Sequence, residues 1–133
     1  MASTKRKGDL GELKVAADLL SKGYQVAIPF GEDSKYDLIV DRQGNLERVQ
    51  VKCTKSDGQK IIVPCRSSNN WNVIKYTERM FEWLAIYDIT TDSCYYIPSK
   101  IMKNGRSAIN LRIIPAANGQ KKGIHYASDY TAM

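Results

Sequence analysis

The sequence is poor in the residues that most often build metal clusters or covalent catalytic groups. A single histidine, His125, gives a histidine-rich metal site or a Ser-His-Asp triad little to draw on, although one triad histidine is formally present; its place in the chain reads as a tail residue. The three cysteines, Cys53, Cys65 and Cys94, are odd in number and lack the C-x-x-C spacing of a zinc site, so they read as reduced core residues. No window approaches the roughly 20 apolar residues of a membrane span. The basic start from Met1 to Lys7 has no apolar stretch of the signal-peptide kind. The expectation is an intracellular chain, cytoplasmic or nucleoid-associated, with no membrane partner. Internal repeats and Pro/Gly-rich linkers are also missing, and 133 residues suit one domain, with a core over about 8–114 and a tail over 115–133. Acidic residues are scarcest at the end. Residues 99–133 hold six Lys/Arg against one Asp/Glu, five of the +6 net charges, which favours an acidic partner such as nucleic acid.

What is present reads as a mixture of one long helix and several strands. Leu10, Leu13, Ala17 and Leu20 recur at helical spacing over residues 9–22 and form the expected core stripe, with Gly23 as the stop and Glu12 beside the stripe. Strands are expected over 24–29, 36–41, 47–55 and 60–66. A hairpin turn is expected at Arg42-Gln43-Gly44-Asn45 and a type I′ hairpin at Asp57-Gly58. Pro64 has no N–H for a ladder, so the fourth strand should end there or lie on an edge. A polar loop containing Trp71, a short helix over 76–82, and two strands (83–88 and 94–97) around Thr90-Thr91-Asp92 follow, closed by Pro98. A helical turn over 99–103, a strand over 108–114 and an irregular tail from Pro115 complete the reading. Phe81, Trp83 and Tyr87 read as core, while Tyr95, Tyr96, Tyr126 and Tyr130 are divided between strand packing and subunit contacts.

Pairing the second and third strands with Arg42 opposite Asn45 places Asp37 opposite Gln50. Side chains alternate between faces, so Asp37, Gln50 and Lys52 share one face, while Leu38, Val40, Val49, Val51 and Cys53 form an apolar set on the other. A one-residue slip would exchange the two sets, which pins the register. A carboxylate and an amide oxygen are hard ligands suited to Mg²⁺, and an ammonium group beside them suits a phosphodiester transition state. Glu12, at the helix edge, is a further oxygen ligand. The competing reading is an ordinary polar sheet face.

These residues resemble a known family. Gly11-Glu12-Leu13-Lys14-Val15-Ala16, Tyr36-Asp37-Leu38-Ile39-Val40 and Gln50-Val51-Lys52 are similar to successive motifs of the PD-(D/E)XK nuclease superfamily. The resemblance is to its group I intron-associated homing endonuclease branch. Trp83-Leu84-Ala85-Ile86-Tyr87-Asp88 and Cys94-Tyr95-Tyr96-Ile97-Pro98 extend it over roughly residues 8–100. The resemblance implies an α/β, restriction-endonuclease-like core with a central mixed β-sheet flanked by helices, and metal-dependent hydrolysis of double-stranded DNA. It implies Glu12, Asp37, Gln50 and Lys52 as the catalytic set and Glu12, Asp37, Gln50 and Val51 as the metal set, with Mg²⁺ as cofactor, Mn²⁺ substituting, and Ca²⁺ supporting binding only. Two departures stand out: Tyr36 occupies the place of the proline, and Gln50 that of the (D/E) carboxylate.

Candidate DNA contacts are Lys5, Arg6, Lys7, Lys100, Lys103, Arg106, Arg112, Lys121 and Lys122 for phosphates, with Asn69 and Asn70 able to reach base edges. A site-specific homing enzyme of this size would need to be a homo-oligomer, dimer or tetramer, to cover a long target and cut both strands. A junction-resolving or restriction-type nuclease and a catalytically inactive DNA-binding module are the competing functions.

Overall fold

The computed structural model describes residues 4–31, 34–68, 73–75, 80–102, 108–115 and 124–133. Its first element, α1 (Thr4–Ser21), starts five residues earlier than expected and ends at Gly23, whose φ of +90° is the left-handed geometry of a helix stop. The face that α1 buries is not the expected stripe. Val15 and Leu19 are fully buried alongside Gly11, whereas Leu10, Leu13 and Leu20 are 39%, 68% and 57% exposed and Ala17 is exposed with them.

Gly11 explains the choice. A Cβ there would stand 3.0 Å from Cys53 Cβ and 3.5 Å from Val51 Cγ1, so the bare glycine lets the helix settle directly on the sheet. Val15 and Leu19 follow at four-residue intervals on that same side. Gly11→Val is expected to destabilise the protein by about 1–3 kcal/mol through overpacking. Urea unfolding checks this, and an unchanged midpoint would mean that the helix is not held at this contact.

The strands are β1 (Gln25–Ala27), β2 (Leu38–Arg42), β3 (Asn45–Thr54), β4 (Lys60–Pro64), β5 (Arg66–Ser68), β6 (Val73–Lys75), β7 (Trp83–Asp88), β8 (Ser93–Pro98), β9 (Ala108–Arg112) and β10 (His125–Tyr126). Five of them form a mixed sheet in the order β1-β2-β3-β7-β8, in which β3 and β7 run parallel and the other neighbours antiparallel. Gln43 and Gly44 both have positive φ, +55° and +90°, the geometry of a two-residue primed turn. That turn sets Arg42 opposite Asn45 and Leu38 opposite Val49, the expected register.

The alternation then separates two cores. On one face Val49, Val51, Leu38 and Val40 join Ala85, Tyr87 and Tyr96 beneath Val15 and Leu19 of α1. On the other face Leu84, Ile86, Tyr95 and Ile97 pack against Ile61, Val63, Ile109 and Leu111 of a small second sheet, ordered β10-β9-β4. β7 is therefore buried on both sides, as its continuous apolar run requires. The mixed sheet and flanking helix agree with the fold the resemblance implies. Among the described residues, the opposite face is covered by strands rather than by another α-helix.

The hairpin expected at Asp57-Gly58 does not form. β3 pairs with β7, and β4 leaves to pair with β9. Gly58 has a positive φ of +85° that Asp57 does not share; instead the Asp57 carboxylate accepts the N–H groups of Gln59 (2.8 Å) and Lys60 (3.0 Å), a side-chain turn that redirects the chain. Pro64 ends β4, which is an edge strand, both as expected.

Of the helix expected over 76–82, residues 76–79 lie outside the described residues and 80–82 are not helical. The described end of the tail, residues 124–133, is not wholly irregular: β10 pairs in parallel with β9 and Ala127 is buried in the second core, while 116–123 lie outside the described residues. His125 sits there with its Nδ1 2.9 Å from the Tyr130 hydroxyl. Tyr95 and Tyr96 are buried within the chain, which removes them from the expected subunit contacts; a side chain already packed in a core has no surface left to offer.

Candidate active site

The site is built where β2 begins. Regular pairing with β3 stops at Leu38 and Val49, so Asp37 does not face Gln50 in the ladder as expected. The Asp37 N–H is bonded instead to the Val49 carbonyl at 2.8 Å, one residue out of step with the pairs that follow. In a continuing ladder the Val51 N–H would go to the carbonyl of residue 36. The Asp37 carboxylate takes that N–H itself, through Oδ2 at 2.8 Å. The side chain is thereby fixed to the main chain of β3, between Gln50 and Lys52.

Three charged groups meet around this point. Lys52, on the face of β3 away from α1, is half-buried; burial lowers its pKa, and the nearby Asp37 charge pulls it partly back. Burial likewise pushes Asp37 above the ordinary carboxylate range, against the opposing pull of the Val51 N–H and of Lys52. Glu12 reaches the same point from α1, and its pKa is raised by burial first and then by the negative charges of Asp37 and Asp9. Gln50 lies on the Lys52 face, beside Leu84 of β7, and is half-buried.

Two carboxylates in a partly desolvated place, each raised by burial and Glu12 raised further by the Asp37 charge, are held at a cost that a cation would relieve. The donor set of Glu12, Asp37 and Gln50 is all oxygen, which suits a hard divalent ion. The described residues contain no cluster of three or more His, Cys, Asp or Glu, as follows when an amide stands among the donors.

The expected DNA contacts are less gathered. Lys5 and Arg6 are exposed on the first turns of α1, and Lys7 is half-buried near Cys53. Seven residues separate Lys5 from Glu12, which puts both on one side of the helix. Lys100 is exposed in the 3₁₀ turn after β8. Arg112 donates through Nε to the Ile114 carbonyl (3.1 Å) and through Nη2 to the Pro115 carbonyl (3.2 Å), so it also ties down the end of β9. Asn69, Asn70, Lys103, Arg106, Lys121 and Lys122 lie outside the described residues.

Two groups near the site escaped the sequence reading. Asp88, fully buried at the end of β7, accepts the N–H and O–H of Ser56 (both 2.8 Å) and the O–H of Thr91 (2.7 Å). Burial pushes its carboxyl up, but these bonds outweigh it and hold the pKa below the ordinary value. It fastens the loop leaving β3 to the β7–β8 turn. The second group is Arg48 with Glu82, for which the alternation of Arg48, Gln50 and Lys52 was an available signal.

The model of the PD-(D/E)XK endonuclease family matches residues 2–133. The chain belongs to this family. Among solved structures, this PD-(D/E)XK endonuclease is similar to the bacterial homing endonuclease I-Ssp6803I, with 27% identity, a TM-score of 0.75, and coverage of 97% of this chain and 88% of that one. No curated protein sequence matches the chain. No helix among the described residues is long and apolar enough to cross a membrane. Nucleases of this family generally use divalent metals, in keeping with the paired carboxylates Glu12 and Asp37.

Proposed function

We propose that this PD-(D/E)XK endonuclease is a site-specific homing endonuclease that hydrolyses double-stranded DNA with Mg²⁺, acting as a homo-oligomer. The observation that carries the reading is the meeting of Glu12, Asp37 and Lys52 at the broken end of the β2–β3 ladder, inside a fold shared with a homing endonuclease. Asp37, Gln50, Glu12 and the main chain at Val51 would hold the cation. When bound there, a divalent ion supplies Lewis acidity toward the phosphate and the attacking water.

The remaining work falls to the side chains. The Val51 N–H holds Asp37 in one orientation, so its second oxygen is preorganised for a ligand. Lys52 presents an ammonium group, already stripped of much of its water, to the charge that develops on the phosphate. Lys5, on the Glu12 side of α1, would take a neighbouring phosphate, and Arg6, Lys7, Lys100 and Arg112, together with Lys103, Arg106, Lys121, Lys122, Asn69 and Asn70, would extend the track. The exposed Leu10, Leu13 and Leu20 on α1 favour an assembly, since a monomer gains nothing by leaving them in water.

The test is cleavage of a random-site plasmid library with Mg²⁺, followed by sequencing of the ends and by light scattering on the complex. A single recurrent long site cut by an oligomer is the expected result. Cuts mapping to branched DNA would identify a junction-resolving enzyme instead, and binding without any cut an inactive module.

A further inference from the structure

Tyr36, Arg48 and Glu82 form a linked group one step from the site. Arg48 shares the face of β3 that carries Gln50 and Lys52. Its Nε donates to both Glu82 oxygens (3.1 and 3.2 Å) and its Nη2 to Oε2 (2.5 Å), while the Arg48 N–H donates to Oε1 (2.7 Å). Glu82 is held in turn by its own N–H on the Arg48 carbonyl (3.0 Å) and by the Ser99 N–H on its carbonyl (2.9 Å). The guanidinium is thus fixed in orientation, and its Cζ lies 5.9 Å from the centre of the Tyr36 ring. That ring also packs against the core between β7, β8 and the small sheet.

Tyr36 immediately precedes Asp37, at the place where family resemblance calls for proline. A proline fixes φ near −65° by its ring, and a tyrosine leaves the same bond free to turn. We propose that the Tyr36 ring, seated on the core and covered by the Glu82-oriented Arg48, positions Asp37 where the ladder breaks, doing by side-chain anchoring what the ring of a proline does covalently. The consequence for catalysis rests on the nuclease reading; the anchoring of Asp37 does not.

A double-mutant cycle over Tyr36→Ala and Arg48→Met tests this with two measurements. One is the cleavage rate at saturating DNA and Mg²⁺. The other is hydrogen exchange at the Val51 amide in metal-free protein, which reports its bond to Asp37 without any need for activity. Each single change should lower kcat by about tenfold or more, with KM for DNA little altered, because small misplacements of a reacting group carry penalties of that size. Val51 exchange should quicken by at least about tenfold, and the double variant should be no worse than the worse single one. Tyr36→Phe, which keeps the ring, should restore both readouts.

Independent, multiplicative effects would overturn the proposal. So would a raised KM on Arg48→Met with Val51 exchange unchanged, which would make Arg48 a DNA contact, or a uniform loosening of all β3 amides. If the unaltered protein cuts no DNA, the nuclease reading fails while the Val51 measurement still decides the anchor.

Discussion

Asp37→Asn is expected to reduce cleavage by on the order of a thousandfold while making the metal-free protein more stable at neutral pH. The loss follows from removing a charge that the Val51 N–H holds in one orientation; preorganised electrostatic groups are worth two to three orders of magnitude each. The gain follows from the raised pKa of Asp37, whose first cause is burial. A carboxyl with a folded pKa above its unfolded value favours folding while it is protonated, below the unfolded pKa, and that favour is lost as pH rises through the folded pKa. At pH 7 the ionised carboxylate is therefore a net cost to the fold, which a thermal melt reads as a lowered Tm. Asparagine keeps an oxygen for the Val51 N–H and removes the cost. The stabilisation should vanish near pH 3, where both proteins are uncharged at this position. Mg²⁺ should raise the Tm of the parent protein and leave the variant almost unmoved. A variant that cuts at the parent rate would sink the site assignment, and one that is less stable at pH 7 would contradict the burial argument.

Lys52→Met is expected to lower the single-turnover cleavage rate by at least about a hundredfold with DNA affinity in Ca²⁺ nearly unchanged. Burial lowers the pKa of this lysine, and Asp37 only partly restores it, so its charge is lost at a lower pH than that of an exposed lysine. For a cation needed in the transition state, the alkaline limb of the rate profile should begin below the ordinary lysine range. Glu12 and Asp37, both raised in the metal-free protein, should make Mg²⁺ binding weaken as pH falls. A depressed lysine favours folding only when neutral, so at neutral pH its charge also costs stability, and the methionine variant should melt at a higher temperature. Single-turnover rates across pH and thermal melts measure both effects. A rate within about threefold of the parent would make Lys52 a surface residue.

The strand register shows what was legible. A two-residue turn at Gln43-Gly44 and the apolar alternation of Leu38, Val40, Val49 and Val51 fix β2 against β3, because any slip buries Arg48, Gln50 and Lys52 in the α1 core. Helix α1 shows the opposite. It has apolar residues on two sides, Val15 and Leu19 on one and Leu10, Leu13 and Leu20 on the other, and a 3.6-residue period fits either. The more populous side is the exposed one. Gly11 decides between the two sides, because its missing side chain lets the helix approach Cys53. At Asp57-Gly58 the dipeptide predicts a turn, yet turn chemistry says only that the chain bends and not which strand it meets next.

The sequence by itself determined the β2–β3 register, because alternation and turn spacing act between residues close along the chain, while the class of fold and the grouping of Glu12 with Asp37, Gln50 and Lys52 follow from its family resemblance. Tertiary structure decided which side of α1 lies on the sheet, the parallel partnership of β3 with β7, the return of the tail to β9, and the break in the ladder that turns the Asp37 carboxylate onto Val51. Each of these depends on contacts between segments far apart in sequence. Their energies are set by how closely two surfaces can approach, and local pattern carries no record of that distance.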